Sequence, residues 1–168
     1  MTARRLPAMC AATTKPWGTL DMPAETLLRP KRSSLPPREG QTVLIVDDDE
    51  AIAESLAFRL QKQGYHTLIA HAGERGLAMA RAERPHIVLL DLRLPDIDGF
   101  TVCEQLDSDP ATCHIPVIIL SGMERPDIIR RARAAGCTYF VRKPFDPNAL
   151  LILIQSAAGQ VPPEHHFG

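Results

Sequence analysis

Two features that would place this protein at a membrane are missing from its 168 residues. No apolar run approaches the roughly 18 residues that a membrane-spanning helix needs, and the apolar stretch at 150–154 is far too short. Near the N-terminus, Pro7, Lys15 and Pro16 interrupt any apolar segment of the kind found in signal peptides. We therefore expect a cytoplasmic protein with no membrane partner.

The sequence also has little net charge and few cysteines. Its formal net charge is −1, which excludes a general electrostatic attraction to nucleic acid. The four cysteines have no C-x-x-C pair and no other spacing typical of a metal site (Cys10, Cys103, Cys113 and Cys137). We expect them to act as small hydrophobic residues in a reducing cytosol, and we expect no direct binding of nucleic acid.

Prolines and basic residues are concentrated at the start of the chain. Six of the fifteen prolines fall within residues 1–40, where seven Lys or Arg residues against three acidic residues give a charge of +4. We predict that 1–40 is a disordered or loosely ordered Pro-rich extension, serving as a spacer or as a docking arm for an acidic partner. Because Gly159, Pro162 and Pro163 end any helix, 160–168 is predicted to be a flexible tail, which leaves 41–159 as the folded domain.

Short apolar runs alternate with amphipathic segments along residues 41–159. The first run (42–47) is rich in β-branched residues, as buried strands are, and Ile52, Leu56 and Leu60 then recur on one face of a helix that Asp49 can cap. The other predicted strands are 66–70, 86–91, 116–120 and 138–141, and the other predicted helices are 73–83, 100–107, 126–135 and 147–158. This alternation predicts an α/β fold, with a doubly wound five-stranded parallel sheet covered by helices on both faces.

Chemically active side chains follow four of the predicted strands. Such sheets place their functional groups beyond the carboxyl ends of the strands, where this sequence has the acidic run 47–50, then Asp91, Ser121 and Lys143. Clustered carboxylates repel one another unless a cation joins them, and oxygen ligands favour Mg²⁺. An aspartate can attack phosphorus to form an acyl phosphate, while Lys143 and Ser121 offer donors to phosphoryl oxygens. The sequence therefore predicts a magnesium-dependent phosphoryl site.

Each of these residues is unremarkable when it is taken alone. The acids at 47–50 are favoured at the start of a helix by the helix dipole. Asp91 and the pair Ser121–Gly122 are typical of turns, and Lys143 followed by Pro144 carries almost no signal. The conjunction of all four at strand ends, in this order, is what favours a functional site.

Residues 42–158 resemble the receiver domain of bacterial response regulators, in the manner of the chemotaxis regulators. Four stretches carry the resemblance: VLIVDDDE (43–50), LLDLRLPDIDGF (89–100), VIILSG (117–122) and YFVRKPF (139–145). The resemblance implies a flavodoxin-like three-layer sandwich whose strands are ordered 2-1-3-4-5. It also implies a stand-alone receiver that works in a two-component system.

The resemblance assigns roles to individual residues. It implies that Asp91 is the phosphoacceptor and that Mg²⁺ is held by Asp47, Asp48, Asp91 and the backbone carbonyl of Arg93. It implies that Ser121 is the switch hydroxyl, Phe140 the switch aromatic and Lys143 the lysine that contacts the phosphoryl group. The peptide bond between Lys143 and Pro144 is expected to be cis. Arg93 and Met123 match positions that tune the lifetime of the phosphoryl group, and we expect apolar Met123 to slow hydrolysis.

The function that follows from the resemblance is signalling, not turnover of a substrate. Asp91 would accept a phosphoryl group from a sensor histidine kinase or a phosphotransfer protein, by self-catalysed transfer and with autodephosphorylation. A protein target would then recognise the face formed by helix four, strand five and helix five, with the chain as a monomer or a phosphorylation-dependent dimer. Two alternatives stay open: a phosphorylation-independent adaptor with the same fold, and a phosphatase-type hydrolase, whose usual D-x-D pattern is absent at Asp91-Leu92-Arg93.

Overall fold

The computed structural model describes residues 40–159, and ten elements alternate along them. The strands are β1 (Thr42–Val46), β2 (His66–Ala70), β3 (Ile87–Asp91), β4 (Val117–Ser121) and β5 (Tyr139–Arg142). The helices are α1 (Glu50–Gln61), α2 (Gly73–Glu83), α3 (Gly99–Ser108), α4 (Ile128–Ala134) and α5 (Pro147–Ala158). Apart from Gly40, the predicted extension at 1–40 lies outside the described residues, as does the predicted tail at 160–168.

All five strands are parallel and lie in the order β2-β1-β3-β4-β5. This order confirms the predicted doubly wound sheet. The central strands are uniformly apolar because both faces of a parallel sheet are covered by helices, and every residue of β3 and β4 is buried.

The helices pack in two layers, one on each face of the sheet. Side chains of α2, α3 and α4 form one hydrophobic cluster with alternate strand residues such as Leu44, Val88 and Ile119. Side chains of α1 and α5 form the other cluster with the intervening residues, such as Ile45, Leu89 and Ile118. The strands therefore run between two apolar layers, and their carboxyl ends emerge together at one edge.

Three of the helices begin at an aspartate that accepts a backbone N–H of the first turn. Asp49 caps α1, Asp98 caps α3 and Asp146 caps α5, which stabilises each helix by about 1 kcal/mol. The cap at Asp49 agrees with the sequence analysis. The α2 helix begins after Ala72, which has no capping side chain.

The predicted start of the fourth helix is wrong by two residues. The sequence placed Pro126 in the first turn, whereas α4 begins at Ile128. Pro126 lies instead in a turn in which the Ile128 N–H donates to the carbonyl of Arg125 at 3.2 Å. Because the fixed φ of proline suits the second position of such a turn as well as the first position of a helix, the sequence could not separate the two.

Burial within residues 40–159 mostly follows the apolar character of the side chains. Cys103 and Cys137 are buried, as expected for small hydrophobic residues, whereas Cys113 is only half-buried. On α4, Ile128 and Ala132 are buried and Arg130 and Arg133 are exposed. Within residues 40–159, none of the helices combines the length and the apolar character needed to span a bilayer.

Candidate functional site

The register of the sheet brings the predicted site residues to one edge. Val46 of β1 pairs with Leu90 of β3, so the next residues along each strand, Asp47 and Asp91, lie side by side. On the other side of β3, Asp91 pairs with Leu120, the residue before Ser121. Parallel pairing therefore assembles a site from positions that are far apart in the sequence.

Three carboxylates form the centre of this site. Asp47, Asp48 and Asp91 each offer an oxygen, and the three oxygens lie within 4.8 Å of one another. Asp47 and Asp91 are buried, whereas Asp48 is exposed. An oxygen-only donor set of this size fits a hard divalent cation such as Mg²⁺, which commonly combines one or two carboxylates with water.

The acidic run after β1 divides between two roles. Asp49 accepts the N–H of Ile52 at 3.1 Å and caps α1, so that residue serves the helix. Asp47 instead accepts the N–H of Asp49 at 3.0 Å and faces the carboxylate cluster. Identical neighbouring residue types thus serve the helix and the site separately.

Lys143 is the cation of the cluster. It follows β5, and its ammonium lies 2.8 Å from Oδ2 of Asp47 and 3.5 Å from Oδ1 of Asp91. Its backbone N–H donates to the carbonyl of Ser121 at 2.8 Å, which fixes the start of the stem, and the bond between Lys143 and Pro144 is cis. Three carboxylates and one ammonium leave a formal charge of −2, which a divalent cation would balance.

The environment of Asp91 acts on its carboxyl group in opposing directions. Burial raises the pKa of Asp91, the Lys143 ammonium opposes that rise, and the charge of Asp47 adds to it. The N–H groups of Leu92 and Arg93 donate to the carboxylate and also lower the pKa, but the net shift is upward. The result is a buried carboxylate whose anionic form is destabilised, and which gains from binding a cation.

The predicted switch residues lie on neighbouring strands, with Ser121 at the end of β4 and Phe140 within β5, where it pairs with Ile119. Ser121 is buried, and its hydroxyl oxygen accepts the N–H of Met123 at 3.1 Å. Phe140 and Met123 are both half-buried and pack against the same hydrophobic cluster. Arg93, the other residue expected to tune lifetime, is exposed.

Residues in the loops after β2 and β3 make contacts beside the site that the sequence analysis missed. A Cβ at Gly99 would lie 2.5 Å from the carbonyl oxygen of Asp91, so only glycine allows α3 to begin against the backbone of the phosphoacceptor candidate. Asp96 accepts two N–H groups at the start of α2. A ring nitrogen of His71 lies 3.0 Å from the backbone oxygen of Asp47. The capping preference of aspartate could have identified Asp98, but nothing local identifies the partners of Asp96 or His71.

Comparisons with known proteins agree with this arrangement. The family model described as the response regulator receiver domain matches residues 43–155. Protein PilH of Pseudomonas aeruginosa is 35% identical over 114 residues, which are 68% of this chain and 94% of PilH. Response regulator PleD of Caulobacter vibrioides is 39% identical over 115 residues, but these cover only 25% of PleD. The crystal structure of a CheY-like receiver domain protein from Methanospirillum hungatei is 29% identical, with a TM-score of 0.67, over 71% of this chain and 94% of that one.

Proposed function

This chain belongs to the response regulator receiver family of two-component signalling, and from that premise we propose that Asp91 accepts a phosphoryl group from a partner protein. The single observation that carries the proposal is the pair of contacts made by Lys143, whose ammonium lies between the carboxylates of Asp47 and Asp91. This arrangement supports the proposal because it places a buried carboxylate nucleophile beside a cation and beside two further carboxylates that could hold a metal ion.

In the proposed transfer, an oxygen of Asp91 forms a bond to phosphorus while the bond from phosphorus to the donor atom breaks. The donor atom keeps the electron pair of the broken bond, and the product is an acyl phosphate. The N–H groups of Leu92 and Arg93 hold the carboxylate in place for this attack. Lys143 can then donate to an oxygen of the transferred group, because its ammonium lies 3.5 Å from Asp91.

Mg²⁺, held by Asp47, Asp48, Asp91 and the backbone carbonyl of Arg93, would neutralise the charge that develops on the transferring group. The side chains named here supply only oxygen atoms, which supports this choice of ion. We propose that a sensor histidine kinase or a phosphotransfer protein supplies the phosphoryl group. Self-catalysed transfer and autodephosphorylation then belong to this site, which does not turn over a separate substrate.

The phosphoryl group is proposed to act by moving Ser121. In the described structure the hydroxyl oxygen accepts the Met123 N–H, and its proton is available to a new acceptor. A shift of Ser121 toward the phosphoryl oxygens would draw the segment at 121–123 with it and open space beside Phe140. We propose that the face formed by α4, β5 and α5 reports this change to a protein target, in a monomer or in a phosphorylation-dependent dimer.

The test is the intact mass of the protein after incubation with acetyl phosphate, with Mg²⁺ or with a chelator. We expect one added phosphoryl group that depends on Mg²⁺, and none on Asp91→Asn. Asp109→Asn is the matched control, because Asp109 is also an aspartate at the end of an element but binds Arg81 on the opposite side of the domain. Loss of the adduct in both variants, or in neither, would refute the assignment to Asp91. A wild-type protein without any adduct would favour the phosphorylation-independent adaptor.

A further inference from the structure

The first turn of α2 is capped by a residue from another part of the chain. Ala72 precedes the helix and has no side-chain hydrogen bond to it. The two orphan N–H groups of Gly73 and Glu74 donate instead to the two carboxylate oxygens of Asp96, each at 2.8 Å. Asp96 therefore stabilises α2 as an N-cap normally does, while it ties α2 to the loop at 92–98.

An apolar contact reinforces this connection at the same place. A Cβ at Gly73 would lie 2.5 Å from Cγ1 of Ile97, so the Ile97 side chain occupies the space that a larger residue would fill. Ile97 also packs against the hydrophobic cluster of α2, α3 and α4. The loop thus meets α2 through one polar clamp and one apolar contact, made by neighbouring residues.

The loop clamped in this way is the one that shapes the surroundings of Asp91. Its first two residues, Leu92 and Arg93, donate their N–H groups to the Asp91 carboxylate. Its end is fixed where the Gly99 N–H donates to the carbonyl of Leu92 at 3.0 Å. Between these points, Asp96 anchors the loop to α2 through hydrogen bonds, while Asp98 caps α3 and lies 3.8 Å from Arg131 of α4.

We propose that Asp96 is a positioning residue for the phosphoacceptor site: by holding the loop at 92–98 on α2, it keeps the backbone of Leu92 and Arg93 aligned with Asp91. This inference rests on the proposed function, because it concerns the same site. Asp96 itself touches neither the carboxylate cluster nor the group to be transferred. The N–H groups of Glu74 and Gly73 lower the pKa of the Asp96 carboxyl group, which agrees with an anion held by the helix terminus.

The chain offers a matched control at the other end of the same helix. Asp109 accepts the Nε–H of Arg81, in the last turn of α2, at 2.8 Å and the N–H of Ala111 at 2.9 Å. Like Asp96, it is an aspartate whose pKa is lowered by hydrogen bonds and which ties α2 to a neighbouring segment. Asp109→Ala removes a comparable tie where the strands begin, far from the carboxylate cluster.

The experiment compares Asp96→Ala, Asp96→Asn and Asp109→Ala by NMR, with a Mg²⁺ titration and a urea unfolding curve for each. For Asp96→Ala we expect displaced amide resonances of Leu92 and Arg93 and a Mg²⁺ affinity weaker by about tenfold, the range typical of residues that orient ligands. Asp96→Asn retains one acceptor oxygen and should fall between wild type and Asp96→Ala. Asp109→Ala should lose similar stability while both site readouts stay at their wild-type values.

Unchanged site readouts in both Asp96 variants, or equal losses in Asp96→Ala and Asp109→Ala, would overturn the inference. If Asp96→Ala does not fold, Asp96→Asn decides by the same criteria. The proposed function can fail separately: a wild-type protein that binds Mg²⁺ but takes up no phosphoryl group would refute the phosphoacceptor, while the Mg²⁺ comparison would still decide the role of Asp96. A wild-type protein that binds no Mg²⁺ would overturn both.

Discussion

Removal of the positive charge of Lys143 should destabilise the folded protein, because that charge holds two buried carboxylates together. The Lys143 side chain is 18% exposed, and its partners Asp47 and Asp91 are 2% and 5% exposed. Among residues 40–159, no other ion pair reaches either carboxylate. Lys143→Met keeps the aliphatic stem and removes the ammonium, so the variant leaves two carboxylates that are close, buried and uncompensated.

The size of the effect follows from the two distances. At an effective dielectric constant of about 20, unit charges at 2.8 Å and 3.5 Å attract by about 6 and about 5 kcal/mol. The net loss is smaller, since the variant no longer has to desolvate an ammonium, and breaking a buried pair typically costs about 3–5 kcal/mol. The loss of stability cannot exceed the cost of protonating one carboxylate, because a protonated aspartate no longer needs the ammonium. Neutralising an ordinary aspartate at neutral pH costs about 4 kcal/mol, and the cost is lower for Asp91, whose pKa is already raised by burial. We therefore expect a loss of about 3 kcal/mol.

Urea unfolding followed by far-UV circular dichroism measures this loss, with chelator and with Mg²⁺. Without Mg²⁺ the gap between wild type and Lys143→Met should be widest at neutral pH. It should close as the pH falls through the carboxyl range, because the folded variant binds protons more readily than the unfolded chain. Mg²⁺ should narrow the gap at neutral pH by supplying the missing positive charge.

Lys62→Met is the matched control for this substitution. The Lys62 ammonium lies 4.3 Å from the centre of the Phe58 ring on an exposed surface of α1, so its removal should cost only about 0.5–1 kcal/mol and should not respond to Mg²⁺. If Lys143→Met loses no more stability than Lys62→Met, or if its loss does not depend on Mg²⁺, the electrostatic account of the site is wrong.

Three further predictions use other residues of the site and its supporting loop. Asp91→Asn removes one of three clustered carboxylates and leaves the pair between Lys143 and Asp47 intact, so the free energy of unfolding without Mg²⁺ should rise by roughly 1 kcal/mol. A urea midpoint no higher than that of wild type would contradict this. Because the pKa of Asp96 is lowered, its contribution to stability is present above the ordinary pKa of 3.8 and is lost as the pH falls. The difference in urea midpoint between wild type and Asp96→Asn should therefore shrink in acid. A difference that stays constant with pH would be inconsistent with an anionic cap. Met123→Glu should shorten the lifetime of the acyl phosphate by about tenfold, because a carboxylate there can orient the attacking water, and the decay of the phosphorylated mass measures it; an unchanged decay would rule out this role.

The sequence was sufficient for the fold because the physical signal was strong along the whole domain. The strands β3 and β4 are buried on both faces, which requires uninterrupted apolar runs such as those at 87–90 and 117–120. Glycines such as Gly64 and Gly136, with φ of +86° and +93°, mark the ends of helical segments. The start of α4 was predicted wrongly because Pro126 fits a turn and a helix equally well. The helix itself was predicted correctly.

The central residues of the site were also predictable, because the chemistry restricts the residue types. Carboxylates, a hydroxyl and an ammonium seldom follow four strands of one sheet by chance, and the parallel register then brings Asp47 beside Asp91. Within the acidic run, the capping preference of aspartate identified Asp49 as the cap of α1, and the structure contains that bond. The assignment of Asp47 to the cluster came only from the resemblance to receiver domains, because Asp47 and Asp49 are the same residue type and no local pattern separates them.

The two aspartates of the loop at 92–98 show why the support of a site is harder to predict than the site itself. Asp98 accepts the N–H of Phe100 two residues later, a local bond that the capping preference of aspartate already implies. Asp96 bonds to Gly73 and Glu74, which lie 23 and 22 residues earlier, and any acceptor of suitable reach could satisfy those N–H groups. Because several residue types could fill such a positioning role, the role leaves no recognisable motif in the sequence. Substitutions that disturb the proposed phosphoryl transfer should therefore extend beyond the acidic cluster, to residues such as Asp96 whose contacts are visible only once the fold brings α2 against the loop.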